Sequence, residues 1–150
     1  MIREDYVSFE IAILLKEKGF DEPCNRVYMH DGKCVCAPHF MEGESFVDND
    51  DIDAVKRYND WIDYIQGEYA YLCPSISLAM KWLREVHNFN VNIELTIHGY
   101  FCSFSHIVRD SLGHIIDIED SEAWETAYYD SYEEACEAAI KYCLENMIRV

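Results

Sequence analysis

Apolar and polar residues alternate almost without a break through VNIELTI, then His98-Gly99, then YFCSFSHIV. A period of two marks a strand buried on one face. A turn at His98-Gly99 pairs Ile97 with Tyr100, Leu95 with Cys102, Ile93 with Phe104 and Val91 with His106, a nearly all-apolar face. The opposite face carries Asn92, Glu94, Thr96, Ser103 and Ser105, with Phe101 the exception, which is the pattern of an antiparallel sheet packed on one side. Residues 109–113 read as the next turn, HIIDI as a third strand, and residues 124–129 as a fourth.

Elsewhere the period lengthens to that of a helix. Ser8 caps a first helix striped by Ile11, Leu14 and Leu15, and Gly19 supplies the left-handed stop, with Phe20 packing back. Ile52, Val55, Ile62 and Ile65 recur at helical spacing behind Asp50 or Asp51. Pro74-Ser75 opens SISLAMKWLREVH, with Ile76, Met80, Leu83 and either Val86 or His87 on one face, Leu78 and Trp82 broadening it, and Asn88 or Asn90 ending it. Ser131 and Glu134 make a capping box for a last helix striped by Cys136, Ala139, Ile140, Cys143 and Met147. Between the first two helices, Asp31-Gly32 predicts a two-residue hairpin turn. The expected architecture is α+β: an antiparallel β-meander plus a β-hairpin, packed against three to four helices. At 150 residues the chain fits a single domain, 1–150.

The hairpin region, CNRVYMHDGKCVCAPHF, is the most chemical-looking stretch. A turn at Asp31-Gly32 sets Met29 opposite Cys34 and Val27 opposite Cys36, with Tyr28 opposite Val35 and Cys24 opposite His39. Cys34 and Cys36 then share one face and Cys24 and His39 the other, whereas a tetrahedral zinc needs its ligands to converge. The thiols read as small buried hydrophobes; Cys34, Cys102, Cys136 and Cys143 all fit core-facing positions. Only Cys24 and His39, helped by ligands from elsewhere, keep a metal reading alive. Cys102 and His106 stand about 13 Å apart along one strand, and Cys102 could meet His114 or Asp117 only across the meander. The run DNDDID lacks the Gly and Glu that a calcium loop needs, and no phosphate-cradling or nucleophile-elbow motif occurs. Trp61, Tyr64, Tyr69 and Tyr71 read as core aromatics. No catalytic, cofactor-binding or metal residue is assigned.

Charge narrows the partners. The formal net charge is −17, which disfavours direct contact with nucleic acid or anionic lipid. Asp110, Asp117, Glu119, Asp120, Glu122, Glu125, Asp130, Glu133, Glu134 and Glu137 lie between Arg109 and Lys141 with no Lys or Arg among them. A second acidic stretch is MEGESFVDNDDID. No apolar run is long enough to span a membrane, and MIREDYVSFEIAILLKEKG does not read as a secretory leader. Seven cysteines without a CxxC motif suit a reducing, cytoplasmic setting.

Three segments, EIAILLKEKGFDEPC, PSISLAMKWLREVHNFNVNI and YYDSYEEACEAAIKYCLENMI, together resemble a group of short, uncharacterised proteins of Bacteroides-type gut bacteria and their phages and integrated elements. The resemblance covers about a third of the chain and implies a bacterial or phage cytosolic accessory protein; no site residue comes with it. Three functional expectations remain. The first is a small acidic module, not an enzyme, that binds a protein partner, either a basic one or a second copy of itself. The second is a nucleic-acid mimic that blocks a DNA-binding protein. The third is an enzyme using Cys102, His106 or His114, or a metalloprotein built on Cys24 and His39.

Overall fold

The computed structural model describes residues 4–22, 24, 26–36, 70–120 and 127–148. The expected helix over residues 51–66, the aromatics Trp61, Tyr64 and Tyr69, the acidic stretch before them and His39 lie outside the described residues. Two compact units emerge: a hairpin unit, Tyr6–Ser75, and a meander unit formed by Met1–Asp5 with Ile76–Val150. This division is finer than the single domain drawn from chain length. The fold class is α+β, with two antiparallel sheets.

In the hairpin unit, helix α1 (Phe9–Glu17) starts where Ser8 Oγ accepts the Ile11 N–H at 3.4 Å. Its Ile11, Ala12 and Leu15 are buried. Gly19, at φ +88°, ends it, and Phe20 folds back, its N–H donating to Leu15 O at 2.9 Å. Strand β1 (Arg26–Tyr28) lies between β2 (Cys34–Cys36) and β3 (Tyr71–Leu72), both antiparallel to it. Val27 at its centre is fully buried. The Phe9 ring packs against Tyr28 and Tyr71 at centroid distances of 5.4 and 5.6 Å. Tyr71 is thus the one member of the aromatic group that the described residues place.

The hairpin register differs from expectation by one residue: Tyr28, not Met29, faces Cys34, and Val27 faces Val35. A two-residue type I′ turn needs positive φ at both central positions, yet among Asp31 and Gly32 only Gly32 takes it, at +84°. Asp31 Oδ1 instead accepts the Lys33 N–H at 2.9 Å, an Asx turn. The loop becomes His30-Asp31-Gly32, closed by Met29 N–H to Lys33 O at 2.9 Å. A slip of one residue exchanges the faces of a strand, so Cys34 joins Tyr28 and is exposed, not core-facing.

The meander unit opens with α2 (Ile76–His87), which buries Ile76, Ala79, Trp82 and Leu83 and leaves Val86 exposed. The buried stripe therefore includes Trp82, as expected, and runs through Ala79 in place of Met80. Asn88 stops the helix in the left-handed region at φ 61°, a conformation that asparagine tolerates better than most side chains. Strand β5 (Gly99–Arg109) is central; β4 (Phe89–Thr96) pairs along one side of it. The other side carries β6 (Ile115–Asp120) and the short β7 (Tyr128–Tyr129). Helix α3 (Tyr132–Tyr142) is capped by Ser131 Oγ, which accepts the Glu134 N–H at 3.1 Å, as the capping-box pattern requires. It runs into a π turn, Cys143–Met147. Cys102 and Phe104 meet this helix, with the Phe104 and Tyr142 rings stacked 5.6 Å apart.

Here the register moves by two residues. The turn is Ile97-His98, with Thr96 opposite Gly99 and Ile93 opposite Cys102. An even shift keeps every side chain on its expected face, so the polar set still stands opposite Cys102 and Phe104. The apolar face, however, is covered only over its middle. Leu95 and Ile97 at the hairpin tip are 71% and 96% exposed.

Candidate interaction surface

The residues with chemical potential are dispersed. Cys102 Sγ donates to Ala135 O at 3.1 Å inside the core, and burial, with the neighbouring Cys136, pushes its thiol up to about 11. His106 turns to Glu119 at 3.7 Å and His114 to Asp110 at 3.3 Å. Neither histidine reaches the thiol, so no nucleophile–base pair forms on Cys102. Burial likewise raises Cys136 to about 11 and Cys143 to about 12. Burial and a raised pKa suit these thiols to packing.

In the hairpin unit the slipped register gathers thiols that the expected one separates. Cys73 Sγ donates to Val7 O at 3.7 Å, an oxygen that also accepts the Tyr28 hydroxyl at 2.8 Å. Burial pushes the Cys73 thiol up to about 12, and the Cys34 thiol beside it adds to the rise. Cys24, also buried, is held above its ordinary range by burial and by Cys73. The expected segregation of candidate ligands onto opposite faces therefore does not hold for Cys34. Even so, no group of three His, Cys, Asp or Glu suited to a metal ion occurs among the described residues.

The polar face of the meander holds a shallow concavity of about 630 Å³, lined in part by Asn92, Glu94, Ser103 and Asp120. Asn92 and Asp120 belong to a chain of side-chain hydrogen bonds along this face. Asn90 Nδ2 donates to Asn92 Oδ1 at 2.9 Å, Asn92 Nδ2 to Ser105 Oγ at 3.1 Å, and Ser105 Oγ to Asp120 Oδ1 at 3.3 Å. Such a chain rigidifies a sheet.

The surface that stands out is β6. Asp110 shapes its approach: Oδ1 accepts the N–H groups of Leu112 and His114, each at 2.9 Å. Arg109 pins the same turn, donating to Gly113 O at 3.1 Å and to Asn88 Oδ1 at 2.9 Å, while approaching Glu85 at 3.9 Å. Past this turn every residue of β6 is exposed. Leu112, Ile115, Ile116 and Ile118 are 79%, 55%, 63% and 59% exposed. A lone exposed isoleucine is ordinary; four large exposed apolar side chains on one turn and strand make this the candidate interaction surface.

No match emerges when the chain is compared with protein-family models, curated proteins and solved structures.

The backbone of β6 is open as well. Strand β5 covers one edge and no strand covers the other among the described residues. Ile107 opposes Ile118, but the Ile107 N–H donates away from β6, to Asn88 O at 2.7 Å. The two residues are therefore a non-hydrogen-bonded pair, and the N–H and C=O of Ile118 point to the open edge. Asp117 Oδ1 accepts that N–H at 2.8 Å. Acidic side chains flank the isoleucines on both faces, since Glu119 opposes His106 and Asp120 opposes Ser105. The described acids of the 110–137 interval are thus divided between the two faces of β6, its preceding turn and the first turns of α3. The sequence predicts HIIDI as a third strand; the exposure of its isoleucines is seen only in the structure.

Proposed function

We propose that this chain is a small acidic protein-interaction module, without catalytic activity, that works in the cytoplasm of a bacterium or as a phage-derived accessory there. The observation that carries the reading is the run of exposed isoleucines on β6, set among carboxylates on an open sheet edge. Burying those side chains would remove apolar area from water at about 25 cal/mol per Å², a return that a monomer forgoes. The sealed thiol of Cys102 and the separation of His106 and His114 from it weigh against the Cys/His enzyme. Among the described residues no helix is long and apolar enough to cross a membrane.

A nucleic-acid mimic asks for carboxylates arrayed on one continuous face. Their division over both faces of β6 and the start of α3 favours the protein-interaction reading. A photo-crosslinking side chain placed at Leu112, and in a control chain at exposed His30 of the other unit, tests it in bacterial cytosol. A discrete protein adduct from Leu112 and none from His30 is the expected result. Equal, diffuse labelling from both positions would remove the reading.

A further inference from the structure

Resting on that reading, we infer that the partner binds by strand addition: an extended segment alternating basic and apolar residues pairs with the open edge of β6. Three features of the same strand point to this mode. The outward N–H and C=O of Ile118 present the backbone half of a ladder. The exposed Ile115, Ile116 and Ile118 offer the cross-strand apolar contacts that stabilise a new pair. Asp117, Glu119 and Asp120 give the edge its sign, with no Lys or Arg anywhere between Arg109 and Lys141 to neutralise it.

Charge also selects between occupants. In a second copy paired antiparallel about Ile118, Asp117 of one chain stands opposite Glu119 of the other. Like charges directly opposed destabilise a strand pair, and each copy carries a formal net charge of −17. A segment with Lys or Arg at alternate positions meets the same carboxylates as cross-strand ion pairs, while its apolar residues meet the isoleucines. Strand addition of this kind draws affinity from main-chain hydrogen bonds and specificity from alternate side chains. The Asp117 carboxylate now on the Ile118 N–H must release it, an exchange that a cationic incoming side chain favours by claiming that carboxylate.

The test uses the whole chain and a blocked octapeptide of alternating lysine and valine, its affinity read by fluorescence anisotropy. A companion peptide, N-methylated along both edges, keeps the charge but cannot pair. The expected result is binding of the first peptide and not the second, weakened about tenfold or more by Asp117→Lys with Glu119→Lys. Ile118→Pro removes the outward N–H, bonded in this chain only to the Asp117 carboxylate, together with one exposed apolar side chain; an edge strand tolerates it, and it should abolish binding while amide protection in β5 persists. If Ile118→Pro does not fold, the charge-reversed chain and the N-methylated peptide decide the matter. Equal binding of both peptides, or full affinity in the charge-reversed chain, overturns strand addition; the first leaves the broader interaction reading intact. A chain that ignores both peptides but sedimentates as a dimer dissolved by Ile118→Pro assigns the edge to a second copy instead. Monomers that bind neither peptide overturn the inference, while Leu112 crosslinking separately reports whether any protein uses this surface.

Discussion

His87 closes α2 with its ring 4.5 Å from Trp82, and its Nε2 is a buried polar atom with no hydrogen-bond partner among the described residues. Burial holds its pKa below the ordinary 6.5. The unfolded chain therefore binds a proton near pH 6.5 that the folded chain still refuses. Stability from this group is fully present above that pH and declines as the pH falls through 6.5 toward the lower folded value. Urea denaturation of wild type and His87→Phe across this range should show the wild type losing more stability on acidification. Parallel curves would show that His87 is not the group responsible. The thiols form a second contrast. Cys34 is exposed, while Cys24, Cys73, Cys102, Cys136 and Cys143 are buried. Brief alkylation followed by mass mapping should modify Cys34 before any of those five; prior labelling of Cys102 would contradict its place in the core.

Both hairpins turn on a glycine that does not sit at the turn's centre: Gly32 closes its loop and Gly99 follows its turn. Gly32 takes φ +84° and Gly99 φ +121°. At Gly99 a Cβ would stand 2.7 Å from Tyr129 O, on backbone that cannot yield as a flexible side chain would. Gly99→Ala should therefore cost about 2 kcal/mol or more, read as a lowered urea midpoint, and should loosen β7 first by amide exchange. A loss below the usual cost of a surface substitution would mean that β7 shifts freely. The elements themselves were legible because Ser8, Gly19, Ser131 and the period-two run announce local chemistry that tertiary packing did not override. Register was not, since Asp31-Gly32 and His98-Gly99 each admit two turn types with opposite placements of the glycine. The α2 stripe was partly misread because Ala79 is small enough to lie fully buried where Met80 was expected to. The candidate surface was half legible: composition exposed the acids, but only the three-dimensional neighbours of β6 reveal its exposed isoleucines.

The whole molecule carries far more negative charge than its ion pairs relieve. The pairs at Arg84–Glu85 and Lys141–Glu145 are solvent-exposed and contribute little, against a formal net charge of −17. Screening should therefore stabilise the fold: raising NaCl from about 0.02 M to about 0.3 M shortens the Debye length severalfold and is expected to raise the melting temperature. A lower melting temperature in salt would mean that specific attractions outweigh the general repulsion. Chain path at this scale has its own logic. Tyr6 and Ser75, the first and last residues of the hairpin unit, form a β-bridge. Immediately outside them, the Ile76 N–H donates to Asp5 O at 3.0 Å, tying the meander unit across its own interruption. The hairpin unit thus has the wiring of a cassette, leaving the chain where it entered. A segment wired in this way can be lengthened, exchanged or shortened over evolutionary time while the meander keeps its two junction residues in register.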